Sequence, residues 1–276
     1  MATTQTLKKK LNGVRSIIKV TKAMKTASTV KFSKISTKYS GFSVYSAKCR
    51  RLYMDNRELF SPMQAGADPA GPVCFVIISG NKGMCGSFNT DLYNFALRET
   101  SDRRDCVIIT VGKWLKHRFE EENRPCRMNF VFDDIPRYED TARLYRVLKE
   151  MLSGAEVSGI ELIYPEYRNM MKQIPVRCSL SDKEREDTPP SQPLFFPDRE
   201  SVVHGMADGV MTAFLHEKVL ESALGAQAAT LMTMRSAYDT ATEYGRQLEA
   251  EINRKRQSRV TADVIETSSE FSREVN

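Results

Sequence analysis

Residues 7–42 read LKKKLNGVRSIIKVTKAMKTASTVKFSKISTKYSGF. Within them Leu7, Leu11, Val14, Ile18, Thr21, Lys25, Ser28, Phe32, Ile35, Tyr39 and Phe42 fall alternately four and three positions apart. That is the spacing of a coiled-coil helix, whose seam faces a partner helix. The seam is apolar at both ends and polar through Thr21, Lys25 and Ser28. A buried seam disfavours lysine, because burying an unpaired ammonium is costly. Either the stripe shifts at Lys25 or this stretch faces something other than its helical partner. The other end of the chain repeats the pattern through Leu220, Leu224, Gln227, Leu231, Met234, Tyr238, Ala241, Gly245, Leu248 and Ile252. Its small Ala241 and Gly245 suit close but weak packing, whereas a stable zipper would use leucine and isoleucine throughout.

Proline placement extends this reading to the whole chain. All eleven prolines lie between Pro62 and Pro197. Proline lacks the backbone N–H and clashes with the preceding helical turn, so only the two ends are free to form long helices. About 50–70 helical residues would make a rod of roughly 75–105 Å at 1.5 Å per residue. The expected division is an N-terminal helix over 1–61, an α/β domain over 62–181, a proline-rich loop over 182–198 and a C-terminal helix over 199–276. Charge favours pairing the two ends with each other. Residues 1–61 carry fourteen lysines and arginines against Asp55 and Glu58, while residues 198–276 carry nine basic and thirteen acidic side chains. Each exposed pair adds only about 0.2–0.5 kcal/mol. The competing reading is an ordinary coiled coil for dimerisation.

The middle alternates strand and helix signals. Apolar runs at 73–79, 106–111, 128–132, 159–164 and 174–180 read as strands, and 89–98, 114–122 and 141–152 read as helices. Such alternation implies a largely parallel sheet covered on both faces. The last two strands are close enough in sequence for a hairpin, which would make the sheet mixed. The fold class is therefore α/β: two long terminal helices forming an antiparallel coiled coil, plus a central Rossmann-like α/β domain of about five strands.

Catalytic signals are weak. The glycine loop Ser79-Gly-Asn-Lys-Gly-Met-Cys-Gly-Ser87 sits between a strand and a helix, a context that can hold phosphate at a helix N-terminus. It is neither a Walker loop nor G-x-G-x-x-G, so a structural turn is the favoured reading. His117, His204 and His216 are scattered and there is no H-E-x-x-H, which argues against zinc. Asp133-Asp134 suits a strand-to-helix turn better than a catalytic carboxylate pair. The six cysteines form no C-x-x-C pair and read as reduced thiols in a reducing compartment. No apolar run reaches the length of a membrane span. Lys8-Lys9-Lys10 and the lysines that follow have no interleaved aromatics until Phe32, so an acidic protein surface is a better partner than nucleic acid.

Three segments carry a resemblance to a known family. They are Val20-Thr-Lys-Ala-Met-Lys25 with Lys31 beyond it, Lys82-Gly-Met-Cys-Gly-Ser-Phe-Asn89, and Asn253-Arg-Lys-Arg-Gln-Ser-Arg-Val-Thr261. In this order, near the start, middle and end, they resemble the gamma subunit of F-type rotary ATP synthases. The sequence departs from that family's pattern at Thr230, Thr240, Gly80-Asn81 and Arg259.

The resemblance implies a non-catalytic central-stalk rotor, without cofactor, of a proton-translocating enzyme. Its partners would be a hexamer of three alpha and three beta subunits, an epsilon-type stalk subunit and the membrane c-ring, and the catalytic sites would lie on beta. Matched residue by residue, it places Lys22, Met24, Lys25, Arg256, Gln257 and Thr261 at contacts with beta. The implied location is peripheral, on the cytoplasmic face of a bacterial inner membrane. The alternative is the matrix side of the mitochondrial inner membrane, although the basic, acid-poor start does not read as a transit peptide, because the heptad pattern already begins at Leu7. The alternative function is a nucleotide-binding α/β enzyme with a coiled-coil dimerisation arm. A basic coiled-coil adaptor for nucleic acid is a third reading.

Overall fold

The computed structural model describes residues 4–56, 71–101, 106–180, 195–196 and 198–274. The element order is α1 (Thr4–Asp55), β1 (Val73–Ile78), α2 (Phe88–Ser101), β2 (Cys106–Val111), α3 (Lys113–Glu121), β3 (Met128–Phe130), α4 (Tyr138–Ser153), β4 (Gly159–Asn169), β5 (Lys172–Ser179) and α5 (Arg199–Glu274). The expected loop over 182–198 lies largely outside the described residues. The chain divides into two compact units, one built from residues 1–27 and 233–276, the other from residues 28–232.

Local chemistry sets the ends of the long helices. The Asn56 side-chain amide donates to the Leu52 carbonyl at 2.8 Å, closing the last turn of α1. Asp198 accepts from the Ser201 backbone N–H at 2.8 Å, which starts α5 as an N-cap should. That backbone donor, with the Ser201 hydroxyl, holds the Asp198 carboxyl below the usual carboxylate range.

In the larger unit five strands form one sheet in the order β3-β2-β1-β4-β5. The first four are parallel, and β5 closes antiparallel on β4. Central β1 is buried on both faces, which is why its run is continuously apolar. Cys74, Val76 and Ile78 pack with Leu144 and Leu148 of α4 and with Leu215 and Val219 of α5. Phe75 and Ile77 point the other way, onto Leu92 and Ala96 of α2 and Leu115 and Phe119 of α3. Each fully buried side chain of this kind stabilises by about 1.5–3 kcal/mol.

Two strands differ in length from their apolar runs. β3 stops at Phe130, because its partner β2 ends at Val111 and the Phe130 carbonyl is taken by the Gly112 N–H. β4 continues past Tyr164 to Asn169, carried by pairing with β5 beyond the reach of β1. Pro165 and Pro175 face each other in this extension, where a missing N–H breaks no central ladder.

The buried stripe of α1 passes through this unit at Ser28, Ile35, Ser46, Cys49 and Tyr53. Cys49 and Tyr53 pack on Val203, Ala207, Val210 and Ala213 of α5. Ser46 and Arg50 both donate to the Glu217 carboxylate, at 2.7 and 2.9 Å. Gly225 of α5 is a close-approach position, since a Cβ there would lie 3.2 Å from both Phe88 and Gln173. From Thr212 to Thr230 nearly every residue of α5 is buried or half-buried, His216, Glu217 and Glu221 included, so this stretch is a core helix enclosed on all sides rather than on one stripe.

In the smaller unit Leu7, Leu11 and Val14 of α1 form an apolar cluster with Leu248 of α5, joined by Ile18, Ala241 and Ile252. Gly245 lies beside Val14 and Ile18. Arg15 reaches Glu249 at 2.8 Å, although both side chains remain about half exposed and the pair is worth little. The stripe does not shift at Lys25. Thr21 is buried, with its hydroxyl bonded to the Ile17 carbonyl at 2.9 Å. Lys25 is half-buried, with Nζ 4.7 Å from the centroid of the Tyr238 ring. The expectation that a seam excludes lysine fails because a long stem can lie along the stripe while the ammonium finds an aromatic face.

Candidate functional site

The six residues singled out from the sequence all fall in the smaller unit. Lys22 is exposed, one turn from the stripe, and its carbonyl accepts from the Thr26 hydroxyl at 3.1 Å. Met24 is half-buried and Lys25 is seated on Tyr238. Arg256, Gln257 and Thr261 are exposed on α5, with the Thr261 hydroxyl donating to the Gln257 carbonyl at 3.0 Å. The Lys22 to Lys25 group and the Arg256 to Thr261 group thus form two local surfaces. They hold no converging acid, base and nucleophile, and their geometry suits recognition rather than chemistry.

Both surfaces include apolar residues that sequence reasoning missed. Ile17 and Val20 are more than half exposed and lie on the helical face of Met24. Every residue from Arg256 to Ser268 is exposed, including Val260, Val264 and Ile265. The signal was legible as apolar residues lying off the a/d positions. Basic Lys8, Lys9, Lys10, Lys19 and Lys22 are also exposed, and residues 4–27 contain no carboxylate side chain. The first surface is therefore cationic with apolar spots, which complements an acidic protein face.

The glycine loop belongs to the larger unit, at the C-terminal edge of the sheet, where open α/β folds bind their ligands. Here that edge is occupied by the protein itself. Ser79 N–H donates to the Val111 carbonyl at 2.8 Å, and Gly80 N–H donates to Asn89 Oδ1 at 3.1 Å. The Asn89 amide in turn donates to the Lys82 carbonyl at 2.8 Å. Gly112 has a φ of 114°, and a Cβ there would sit 2.4 Å from Ser79 Oγ, so only glycine fits. Ser222, Ala223, Ala226 and Gln227 of α5 lie over the edge, and Ser222 donates to the Ile78 carbonyl at 3.3 Å. The cavity left is about 40 Å³. A ligand site of the nucleotide kind needs several hundred Å³.

Asp134 joins the loops at this edge. Its Oδ2 accepts from Lys31 of α1 at 2.5 Å and from Lys82 at 3.1 Å. Burial pushes the carboxyl up, but the hydrogen bonds from the two lysines outweigh it and hold it below the usual range. Asp134 is thus a structural anion held by two lysines.

His216 is buried in α5, its Nδ1 2.8 Å from the Thr141 hydroxyl and its ring edge-on to Phe42 and Tyr138. Burial, aided by the charge of Lys38, pushes its pKa down to about 4. It is a satisfied core histidine. Among the described residues no group of His, Cys, Asp and Glu is arranged to hold a metal ion, and no helix is long and apolar enough to cross a membrane. All six cysteines are free, with Cys49, Cys74 and Cys85 buried.

Comparison with known proteins agrees with this picture. The ATP synthase gamma chain of Rubrobacter xylanophilus is 25% identical, the alignment covering 96% of each chain. That of Polynucleobacter asymbioticus is 24% identical over 96% of this chain and 97% of its own. Among solved structures, the fold is similar to a chain in the rotor of Euglena gracilis mitochondrial ATP synthase, with a TM-score of 0.66 at 14% identity, covering 93% of this chain and 98% of that one. It is also similar to a chain in the central stalk and c-ring structure of the Tetrahymena thermophila mitochondrial enzyme, with a TM-score of 0.59 at 18% identity, covering 79% and 99%. A family model described as ATP synthase matches residues 3–271, nearly the full length, and the chain therefore belongs to the ATP synthase gamma-chain family.

Proposed function

We propose that this chain is the central-stalk rotor of a proton-translocating F-type ATP synthase, coupling rotation of the membrane c-ring to conformational cycling of three catalytic beta subunits. The chain makes and breaks no bonds. The observation that carries the reading is the nearly full-length family match together with a sheet edge narrowed by the chain's own α5 to a cleft of about 40 Å³. A nucleotide-binding enzyme would need that edge open.

Residues 4–27 and 233–255 act as an antiparallel coiled coil. Support comes from the order of contacts: Arg15 lies by Glu249, Val14 and Ile18 by Gly245, and Lys25 by Tyr238, so partners descend in α5 as α1 ascends. Such a pair resists twisting better than one helix.

A rotor must present unequal faces to three equivalent partners. Differences in contact energy between those faces set the differences in nucleotide affinity among the three sites. The contacts must also be weak enough to exchange. Exposed Lys22, half-buried Met24 and Lys25, and exposed Arg256, Gln257 and Thr261 meet that need as the contact residues to beta. The remaining partners are the alpha subunits, an epsilon-type stalk subunit and the c-ring. The chain is peripheral, on the cytoplasmic face of a bacterial inner membrane or on the matrix side in a mitochondrion.

The test is co-purification and coupling. A tagged chain should bring down three alpha and three beta subunits. In the assembled enzyme Lys22→Ala or Arg256→Ala should reduce proton pumping per ATP without lowering the thermal midpoint of the isolated chain. Tight ATP binding by the isolated chain in equilibrium dialysis, or ATP hydrolysis by it alone, would overturn the assignment.

A further inference from the structure

Asp133-Asp134 belongs neither to the apolar clusters of the core nor to the two exposed surfaces of the smaller unit. In the larger unit it lies on the segment between β3 and α4, at the C-terminal edge of the sheet. Four separate parts of the chain meet there. The Asn81 amide donates to the Phe132 carbonyl at 2.8 Å and lies 3.4 Å from Asp134 Oδ1, while Asn81 Oδ1 accepts from the Lys113 N–H at 3.2 Å. Asn81 alone therefore already ties together the loops that follow β1, β2 and β3. Lys82, from the glycine loop, adds a second hold on Asp134. Lys31 does something different, reaching Asp134 from α1 across a sequence separation of 103.

The position of Lys31 is mechanically significant. It lies one turn beyond Ser28, where α1 enters the larger unit. Further along, α1 is held through apolar contacts of Cys49 and Tyr53, and through Ser46 and Arg50 to α5. Apolar attraction is non-directional, so the directional holds on this part of α1 are those of Ser46 and Arg50 on α5 and that of Lys31 on the sheet edge. Charge-assisted hydrogen bonds are directional and about twice as strong as neutral ones. The Asp134 side chain is 19% exposed, so this pair is better shielded than most surface ion pairs.

We infer that Asp134 is a torque-bearing positioning residue: gripped by Lys31 of α1 and Lys82 of the glycine loop, it locks α1 to the edge of the sheet so that a turning force passes between them without slip. The inference rests on the rotor reading.

The experiment compares the assembled ATP synthase carrying the unchanged chain with complexes carrying Asp134→Ala, Asp134→Glu, Lys31→Ala and Lys82→Ala. Subunit content, ATP hydrolysis and ATP-driven proton pumping are measured on each. Asp134→Ala and Lys31→Ala should keep the subunit content and hydrolysis while protons moved per ATP fall about twofold or more. Asp134→Glu should restore much of the ratio, and Lys82→Ala should have the smaller effect because Lys31 keeps its hold. A merely structural role would lower complex yield and leave the ratio in the surviving complexes unchanged. If Asp134→Ala fails to assemble, Lys31→Ala gives the deciding ratio, since Lys31 is on the surface of α1. Normal pumping per ATP in whichever of the two assembles would overturn the inference. Failure of the unchanged chain to assemble with alpha and beta subunits would instead overturn the rotor reading.

Discussion

Gly245 offers a direct measurement of how closely α1 and α5 approach in the smaller unit. It is buried within a long helix, where glycine costs about 1 kcal/mol relative to alanine. A Cβ added there would lie 3.6 Å from Val14 Cγ1 and 3.7 Å from Ile18 Cδ1, both ordinary van der Waals distances. The new methyl therefore fits without displacement and gains apolar burial of about 0.8 kcal/mol. Gly245→Ala should stabilise the unit by about 1–2 kcal/mol. Gly13, on α1, is the internal control, because nothing lies within 4 Å of its Cβ position. Gly13→Ala should return only the helical preference, about 1 kcal/mol. Hydrogen exchange read by mass spectrometry over residues 4–27 and 233–255 reports both variants in the same segments. If Gly245→Ala destabilises, or gains no more than Gly13→Ala, then Val14 and Ile18 do not face Gly245 and the packing described for this unit is wrong.

Three further outcomes follow from the larger unit. His216 titrates near 6.5 when unfolded and near 4 when folded, so between these values the unfolded chain binds the extra proton and stability rises with pH. Acidification through this window should cost on the order of 3 kcal/mol, and His216→Phe should flatten that part of a urea-midpoint-against-pH curve. Ala155 holds a φ of 53°, a left-handed conformation that favours glycine, so Ala155→Gly should raise the urea midpoint by the equivalent of about 1 kcal/mol. Glu217 accepts from Ser46 and Arg50 in a largely buried setting, and Glu217→Ala should cost about 3 kcal/mol in a thermal melt because it removes the buried acceptor that the two share.

Much of this architecture was legible in the residues because it rests on local periodicity. The confinement of proline to the middle of the chain marked out α1 and α5, and the apolar runs located all five strands. The alternate spacing from Leu7 to Phe42 follows the burial of α1, and the same alternation continues to Ser46, Cys49 and Tyr53. What the sequence hid depends on distant partners. The seat of Lys25 needs Tyr238, the Asp134 clasp needs Lys31 and Lys82, and the lowered pKa of His216 needs the surroundings that bury it, with the charge of Lys38. No spacing rule brings such residues together. The sealing of the glycine loop was equally hidden, because the residues that cover it, Ser222 to Gln227, look like ordinary small helical positions. Six contact residues were placed by resemblance, and exposure of Lys22, Arg256, Gln257 and Thr261 leaves them available to a partner. The apolar Val260, Val264 and Ile265 beside them lay outside the seam and drew no attention.

The helix α5, which follows every other described element in the chain, supplies a wall to each compact unit. Leu248 completes the cluster begun by Leu7, and Leu215 and Val219 complete the core around β1. The bond between Arg15 and Glu249 spans 234 positions of sequence. Neither unit can therefore close before α5 has been made, and until then Leu7, Leu11 and the part of the β1 core that Leu215 and Val219 cover stay open. Such long-range closure is slow and leaves sticky intermediates, so newly made chains should depend on holding chaperones until α5 has emerged.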